Sequence, residues 1–294
     1  MTVADSTRSY LVGLVGAGIS ESLTPAMHER EAALHGLDYE YRILNLLTLG
    51  RAPEEIGEIL HEVRVAGYAA VNVTHPCKQL VIPYLDRLTP DAARLGAVNL
   101  VVFGADGAVG HNTDWTGFRR AFCDGLPGAT LERVLQFGAG GAGAATAYAA
   151  LDLGAHSLVL IDAALERAAG LARTLQDRFP SAAISAAANA GADELAAANG
   201  VIHATPTGMK EHPGTAFDVD ALSPNAWLAE VVYRPLETQL LIRARDRGIR
   251  ALDGGRMAVG QAVDALALIT GLEPDAERMR AHFLTLVGET GEVL

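Results

Sequence analysis

Arg133-Val-Leu-Gln-Phe137, then Gly138-Ala-Gly140-Gly141-Ala-Gly143, then an Ala-rich run to Leu153, then Ser157-Leu-Val-Leu-Ile161 closing on Asp162: this stretch decides the fold. A compact apolar strand runs into a glycine cluster and directly into a helix over Ala142–Leu153, followed by a second strand. Glycine suits that turn because the chain reverses sharply and a diphosphate must approach the backbone closely. Unpaired N–H groups at the helix start then face the phosphate oxygens. Asp162 falls where such folds place an acid on the ribose 2′-hydroxyl. Its carboxylate suits the two hydroxyls of NAD and repels the 2′-phosphate of NADP, and Ala163 and Ala164 supply no cation. Arg167 is expected to lie along the next helix. The bland alternative is close helix–strand packing with Asp162 as a helix cap; strand, loop, helix and acid in register favour NAD.

Working outward, short β-like runs alternate with helical stretches almost throughout. Tyr10–Val15, Glu40–Leu44, Ala69–Val73 and Ala97–Phe103 read as strands, and Pro25–His35, Pro53–Val65 and Val81–Leu88 as the helices between them. Beyond the glycine loop, Leu165–Arg178 reads as a helix, Gly200–His203 and Leu228–Val232 as strands, and Met257–Thr270 and Asp275–Val287 as closing helices. Cys123–Thr130 (CDGLPGAT) is the turn-rich boundary between the two series. The fold class is therefore α/β with two domains, one of them a Rossmann-type doubly wound domain.

The chain of 294 residues carries 23 Lys+Arg against 35 Asp+Glu, a net charge of −12. That balance disfavours nucleic acid and anionic membranes, while leaving small anions to local donors. Cys77 and Cys123 form no metal or CxxC spacing, as expected of reduced thiols in a cytoplasmic protein. His28, His75, His111 and His203 are not spaced as a metal site. No signal peptide is expected from the acidic, weakly apolar N-terminus, and the glycines, Asp152 and His156 argue against a membrane span in Val134–Ile161.

Polar clusters follow the strands of the first series: Ser22-Leu-Thr24-Pro25-Ala-Met-His28, Asn72-Val-Thr74-His75-Pro76-Cys77-Lys78, Gly96-Ala-Val-Asn99 and Asn112-Thr113-Asp114. Singly, each has an ordinary explanation: Ser22, Thr24, Asn72, Thr74 or Asp114 as helix caps, Lys78 as a surface lysine. With GAGGAG, Ala204-Thr205-Pro206-Thr207-Gly208-Met209 and Gly254-Gly-Arg-Met257-Ala-Val-Gly-Gln261, their order resembles the shikimate dehydrogenase family over nearly the whole chain. The likeness is greatest to its NAD-dependent quinate/shikimate dehydrogenase branch.

The resemblance implies a substrate domain from residues 1–114 with 256–294, a dinucleotide domain over 115–255, and an active site in the cleft. It implies Lys78 and Asp114 as the catalytic pair, and Ser22, Thr24 and Tyr233 on the substrate carboxylate. Thr74, Asn99, Asp114 and Gln261 would bind ring hydroxyls. Dinucleotide contacts would fall on Gly138, Gly140, Gly141, Ala142, Gly143, Asp162, Arg167, Thr205, Val232, Gly255 and Met257. The expected reaction is oxidation of the C3 hydroxyl of quinate and shikimate, with hydride passing to NAD. Lysine suits the hydroxyl proton, as acceptor when neutral or as alkoxide stabiliser when charged. Cys77 stands where the family usually has an aromatic residue, which reads as altered local packing, with sensitivity to thiol reagents as the alternative. The alternatives are an NADP-linked biosynthetic enzyme, an aminoshikimate-type paralogue, or a metabolite sensor without turnover. Quinate and shikimate are the expected partners, with a homodimer left open.

Overall fold

Residues 8–289 are described by a computed structural model. They form two units: one runs from Arg8 to Thr113 and takes back Ala262–Phe283, the other spans Asp114–Gln261 and resumes at Leu284.

The first unit contains β1 (Ser9–Gly16), α1 (Thr24–Leu34), β2 (Asp38–Asn45), α2 (Leu46–Leu49), α3 (Ile56–Val65), β3 (Ala70–Val73), α4 (Cys77–Leu80), β4 (Arg87–Leu88), α5 (Pro90–Leu95), β5 (Leu100–Gly104) and β6 (Gly107–His111). Its sheet has the order β2-β1-β3-β5-β6-β4. The first three strands are parallel, and β5 is antiparallel to both β3 and β6. Strand alternation divides the core between the two faces. Val15, Val71, Val73 and Val101 pack with Ile56, Ile59, Leu60 and Val63 of α3. Val12, Leu14, Ala70 and Leu100 pack with Ala265 and Ile269, and each large aliphatic so buried is worth about 1.5–3 kcal/mol.

The second unit begins with α6 (Thr113–Gly125), which takes its first residue from the other unit. It continues through β7 (Arg133–Phe137), α7 (Gly141–Asp152), β8 (Ser157–Ile161), α8 (Leu165–Arg178), β9 (Ala183–Ala187), α9 (Ala192–Ala197), β10 (Gly200–His203), β11 (Trp227–Glu230), α10 (Gln239–Asp246) and β12 (Arg250–Leu252). All its strands are parallel, in the order β12-β11-β10-β7-β8-β9. Strand β7 lies inside the sheet, the next two strands run out on one side of it, and the last three on the other. That is the doubly wound arrangement, with its switch point between β7 and β10. The chain closes with α11 (Gly254–Thr270) and α12 (Ala276–Glu289). Among the described residues no helix is long and apolar enough to cross a membrane, and no group of His, Cys, Asp and Glu is placed to hold a metal.

Several local expectations are corrected. Val81–Leu88 is not a helix: after α4 the chain makes a short 3-10 turn over Ile82–Tyr84 and then pairs as β4. Pro83 has no N–H to donate back to the Gln79 carbonyl, so α4 cannot continue through it as a regular helix. The strand expected from Ala97 starts at Leu100. Cys123 lies within α6, so the turn-rich boundary begins only after Gly125. Strands β6, β9 and β12 were not expected.

Candidate active site

In the first unit the sheet register brings the polar clusters to one edge. Val15 pairs with Val73, Asn72 with Leu100, and Leu100 with His111. Because β5 runs antiparallel, its start lies beside the ends of β1, β3 and β6. Ser22 and Thr24 follow β1, Thr74 and Lys78 follow β3, Asn99 precedes β5, and Thr113 follows β6.

None of the expected caps is made by a side chain at α1 or α4. The N-cap positions are Leu23 and Pro76, and Ser22 Oγ instead accepts the Thr24 N–H at 3.3 Å. The loop carrying Ser20 and Ser22 is held by Asn45, whose Oδ1 accepts from Gly18 N–H and whose Nδ2 donates to Ser20 Oγ at 2.7 Å. Asn72 is buried and is no cap. Its Oδ1 accepts the Tyr41 hydroxyl at 2.8 Å, and its Nδ2 donates to the Asn99 carbonyl at 3.2 Å. The Asn99 side chain in turn accepts Thr113 N–H at 2.7 Å and donates to Thr113 Oγ1 at 3.0 Å. Asp114 is the next residue, in the first turn of α6.

Lys78 sits in the single turn of α4, where its carbonyl accepts the Val98 N–H at 2.8 Å. Beside it Cys77 is fully buried among Val73, Val81 and Val98. Burial, with the charge of Glu54, pushes the Cys77 thiol up, which disfavours the reactive thiolate. The alternative of thiol sensitivity at this position is therefore not supported.

The second unit gathers the dinucleotide-side residues at the carboxyl ends of β7, β8, β10 and β11, the edge where doubly wound sheets bind ligands. Gly138 has φ +98, and a Cβ there would lie 2.4 Å from the Ala204 carbonyl oxygen. At Gly143 a Cβ would lie 2.2 Å from the Gly138 carbonyl oxygen. Both must be glycine, one for the turn and one for the close approach of α7 to it. At Gly140 and Gly141, by contrast, an added Cβ meets nothing within 4 Å. That open face and the unpaired N–H groups at the start of α7 are a cradle that fits a diphosphate. Gln136, fully buried, braces it by donating to the Gly138 and Gly143 carbonyls at 2.9 and 2.7 Å while accepting from Thr146.

Asp162 is buried and ties the acid to the loop: Oδ2 accepts Ala139 N–H and Oδ1 accepts Ala164 N–H, each at 2.9 Å. Arg167 is not turned away along α8 but closes on the same carboxylate with Nη2 and Nε at 2.7 and 3.0 Å. Burial pushes Asp162 up, but Arg167 and the two N–H groups outweigh it and hold the carboxyl below its ordinary value.

Thr205 follows β10, and the Gly138 turn reaches its backbone. Val232 follows β11 against Gly254, where a Cβ would meet the Val231 and Val232 carbonyl oxygens at 2.4 Å. Gly255 and Met257 are in the first turn of α11, and Gln261 further along it donates to the Ala258 carbonyl. Tyr233 is half-buried beyond β11. Lys78, Ser22, Thr24, Thr74 and Asn99 thus belong to the first unit, and Asp114, Tyr233 and Gln261 to the second. Among residues the motifs did not signal, Asn45, Tyr41 and Glu230 are polar supports with partners distant in sequence, and Gln136 braces the glycine loop that follows it.

A family model described as the shikimate dehydrogenase substrate binding domain matches residues 14–101. The chain is 52% identical to a shikimate dehydrogenase (NADP(+)) of Pseudarthrobacter chlorophenolicus over 97% of this chain and 98% of that protein. It is 50% identical to a quinate/shikimate dehydrogenase (NAD(+)) of Corynebacterium efficiens over 95% and 99%. A quinate dehydrogenase from Corynebacterium glutamicum, solved in complex with NAD, superposes with a TM-score of 0.90 at 45% identity, covering 95% of this chain and 100% of that one. On this likeness along nearly its whole length, the chain belongs to the shikimate dehydrogenase family of nicotinamide-dependent oxidoreductases.

Proposed function

We propose that the protein oxidises the C3 hydroxyl of shikimate and quinate to 3-dehydroshikimate and 3-dehydroquinate, with NAD as its preferred acceptor. A bound nicotinamide would supply the acceptor for the hydride leaving C3. Lys78 accepts the hydroxyl proton when neutral or stabilises the developing alkoxide when charged, and Asp114 is its partner in orienting that hydroxyl. Ser22, Thr24 and Tyr233 take the substrate carboxylate, and Thr74, Asn99 and Gln261 take the ring hydroxyls. The backbone N–H groups of Gly140, Gly141 and Ala142 hold the diphosphate, on a loop fixed by the Gly138 turn and the close approach of α7 at Gly143.

The observation that carries the NAD reading is the buried Asp162 carboxylate, tied to the glycine loop through Ala139. It is a hydrogen-bond acceptor for ribose hydroxyls and an electrostatic barrier to a 2′-phosphate. Arg167 favours a second reading, NADP use. Its guanidinium offsets the charge of Asp162, and its side chain is 57% exposed, leaving it able to turn toward a phosphate. Initial rates for shikimate and quinate, each with NAD and NADP, test both. A kcat/KM for NAD at least tenfold above that for NADP supports the NAD reading, and the reverse ratio establishes the second.

A further inference from the structure

At the carboxyl ends of β10 and β11 a carboxylate, an imidazole and a hydroxyl stand in a row. Glu230 and His203 are both buried. His203 Nδ1 lies 2.8 and 3.0 Å from the two Glu230 oxygens, and its Nε2 lies 2.5 Å from Thr205 Oγ1. Glu230 also accepts the N–H groups of Val231 and Val232, each at 2.9 Å, and the Thr238 hydroxyl at 3.1 Å. Thr238 is itself the N-cap of α10, accepting from Leu241 N–H. One buried carboxylate therefore ties together the ends of two strands and the start of a helix.

Such a group is costly to bury, and the cost is met only by full hydrogen bonding. Packing alone would be served by apolar side chains, so the form of the network asks for a use. The row ends on Thr205, which is half-exposed. A carboxylate only accepts, so the proton on Nδ1 faces Glu230. In a neutral ring this leaves the Nε2 lone pair to Thr205, whose hydroxyl must donate inward. Thr205 Oγ1 also accepts Thr207 N–H at 3.2 Å. With its hydrogen and one lone pair committed, the oxygen has one lone pair left.

We propose that Glu230 and His203 are positioning residues that fix the Thr205 hydroxyl as a hydrogen-bond acceptor toward the dinucleotide. This rests on the reading of Thr205 as a dinucleotide contact. An acceptor there takes an N–H or O–H donor, either the carboxamide of the nicotinamide or a ribose hydroxyl, and rejects a phosphate oxygen. His203 specifies which way the hydroxyl points; Glu230 specifies which ring nitrogen faces it.

Calorimetric titration of NAD into wild type, Thr205→Val, His203→Asn and the double variant tests the assignment. Asparagine keeps a donor for Glu230 but is too short to reach Thr205. Each single substitution is expected to weaken NAD about fivefold to tenfold, and the double variant to be no weaker than Thr205→Val alone. Losses that multiply in the double variant overturn the role of His203 and leave the Thr205 contact standing. An unchanged affinity in Thr205→Val overturns the contact and the inference with it.

Titration of 3-acetylpyridine adenine dinucleotide, which lacks the carboxamide N–H, identifies the donor. Loss of the Thr205→Val penalty assigns it to the carboxamide, and persistence assigns it to a ribose hydroxyl. Should His203→Asn not fold, 15N spectra of histidine-labelled wild type decide. A protonated Nδ1 with a bare Nε2 is expected, and a proton on Nε2 overturns the acceptor assignment.

Discussion

Arg167 grips Asp162 at two points, Nη2 2.7 Å from Oδ1 and Nε 3.0 Å from Oδ2, at the position from which doubly wound domains read the adenosine ribose. With Ala139 and Ala164 the carboxylate accepts four hydrogen bonds, which fills its lone-pair sites. A ribose hydroxyl must displace one arm of the arginine.

Arg167→Ala is expected to lower kcat/KM for NADP by at least tenfold while leaving NAD within about threefold, because the bare carboxylate repels a 2′-phosphate. Asp162→Asn should shift the ratio the opposite way. Equal losses for both cofactors in Arg167→Ala would show that the pair only braces the loop.

Gly140 and Gly143 separate ligand binding from folding. Gly143→Ala drives a Cβ against the Gly138 carbonyl and should cost about 1–3 kcal/mol of stability, the range for overpacking. Gly140→Ala meets open space at φ −78, so its melting temperature should match wild type while dinucleotide affinity falls. Tight NAD binding by Gly140→Ala would remove the diphosphate from this cradle.

Tyr41→Phe deletes one hydroxyl and leaves the buried Asn72 Oδ1 without that donor, at a cost of about 1–3 kcal/mol. Since Asn72 holds the Asn99 carbonyl, the KM for shikimate should rise severalfold with kcat little changed. A stability loss with wild-type KM would make the row purely structural.

His28 supplies the pH dependence. Burial pushes its imidazole down to about 3, against an ordinary 6.5. Between those values the unfolded chain binds a proton that the folded chain does not, so stability rises with pH and is lost as pH falls through this window. The slope from this group is about 1.4 kcal/mol per pH unit. Chemical denaturation of wild type and His28→Phe at several pH values between 4 and 7 reads it; parallel curves would refute the assignment.

What the sequence showed was the part written locally. Leu165–Arg178 is a helix from end to end because its amphipathic period is complete and strands bound it. The glycine loop was legible because the turn, the close approach and the helix start fall on consecutive residues. Gly107–His111 was not legible as a strand: GAVGH is weak β sequence, and it is a strand because it pairs antiparallel with β5. Ala183–Ala187 likewise becomes β9 through its parallel pairing with β8. Arg167 was placed along its helix by position alone, whereas the attraction of the buried Asp162 carboxylate folds it back. His203 and Glu230 are 27 residues apart and meet only because β10 and β11 are neighbours, which no spacing rule discloses.

In the proposed reaction Lys78 carries the proton step of a nicotinamide-linked alcohol oxidation. The most direct test of that role is NADH formation from shikimate by wild type and Lys78→Ala, with NAD binding to each measured alongside. The variant is expected to bind NAD as wild type does and to lose turnover by several orders of magnitude. A Lys78→Ala protein that still oxidises shikimate at a comparable rate would contradict that role.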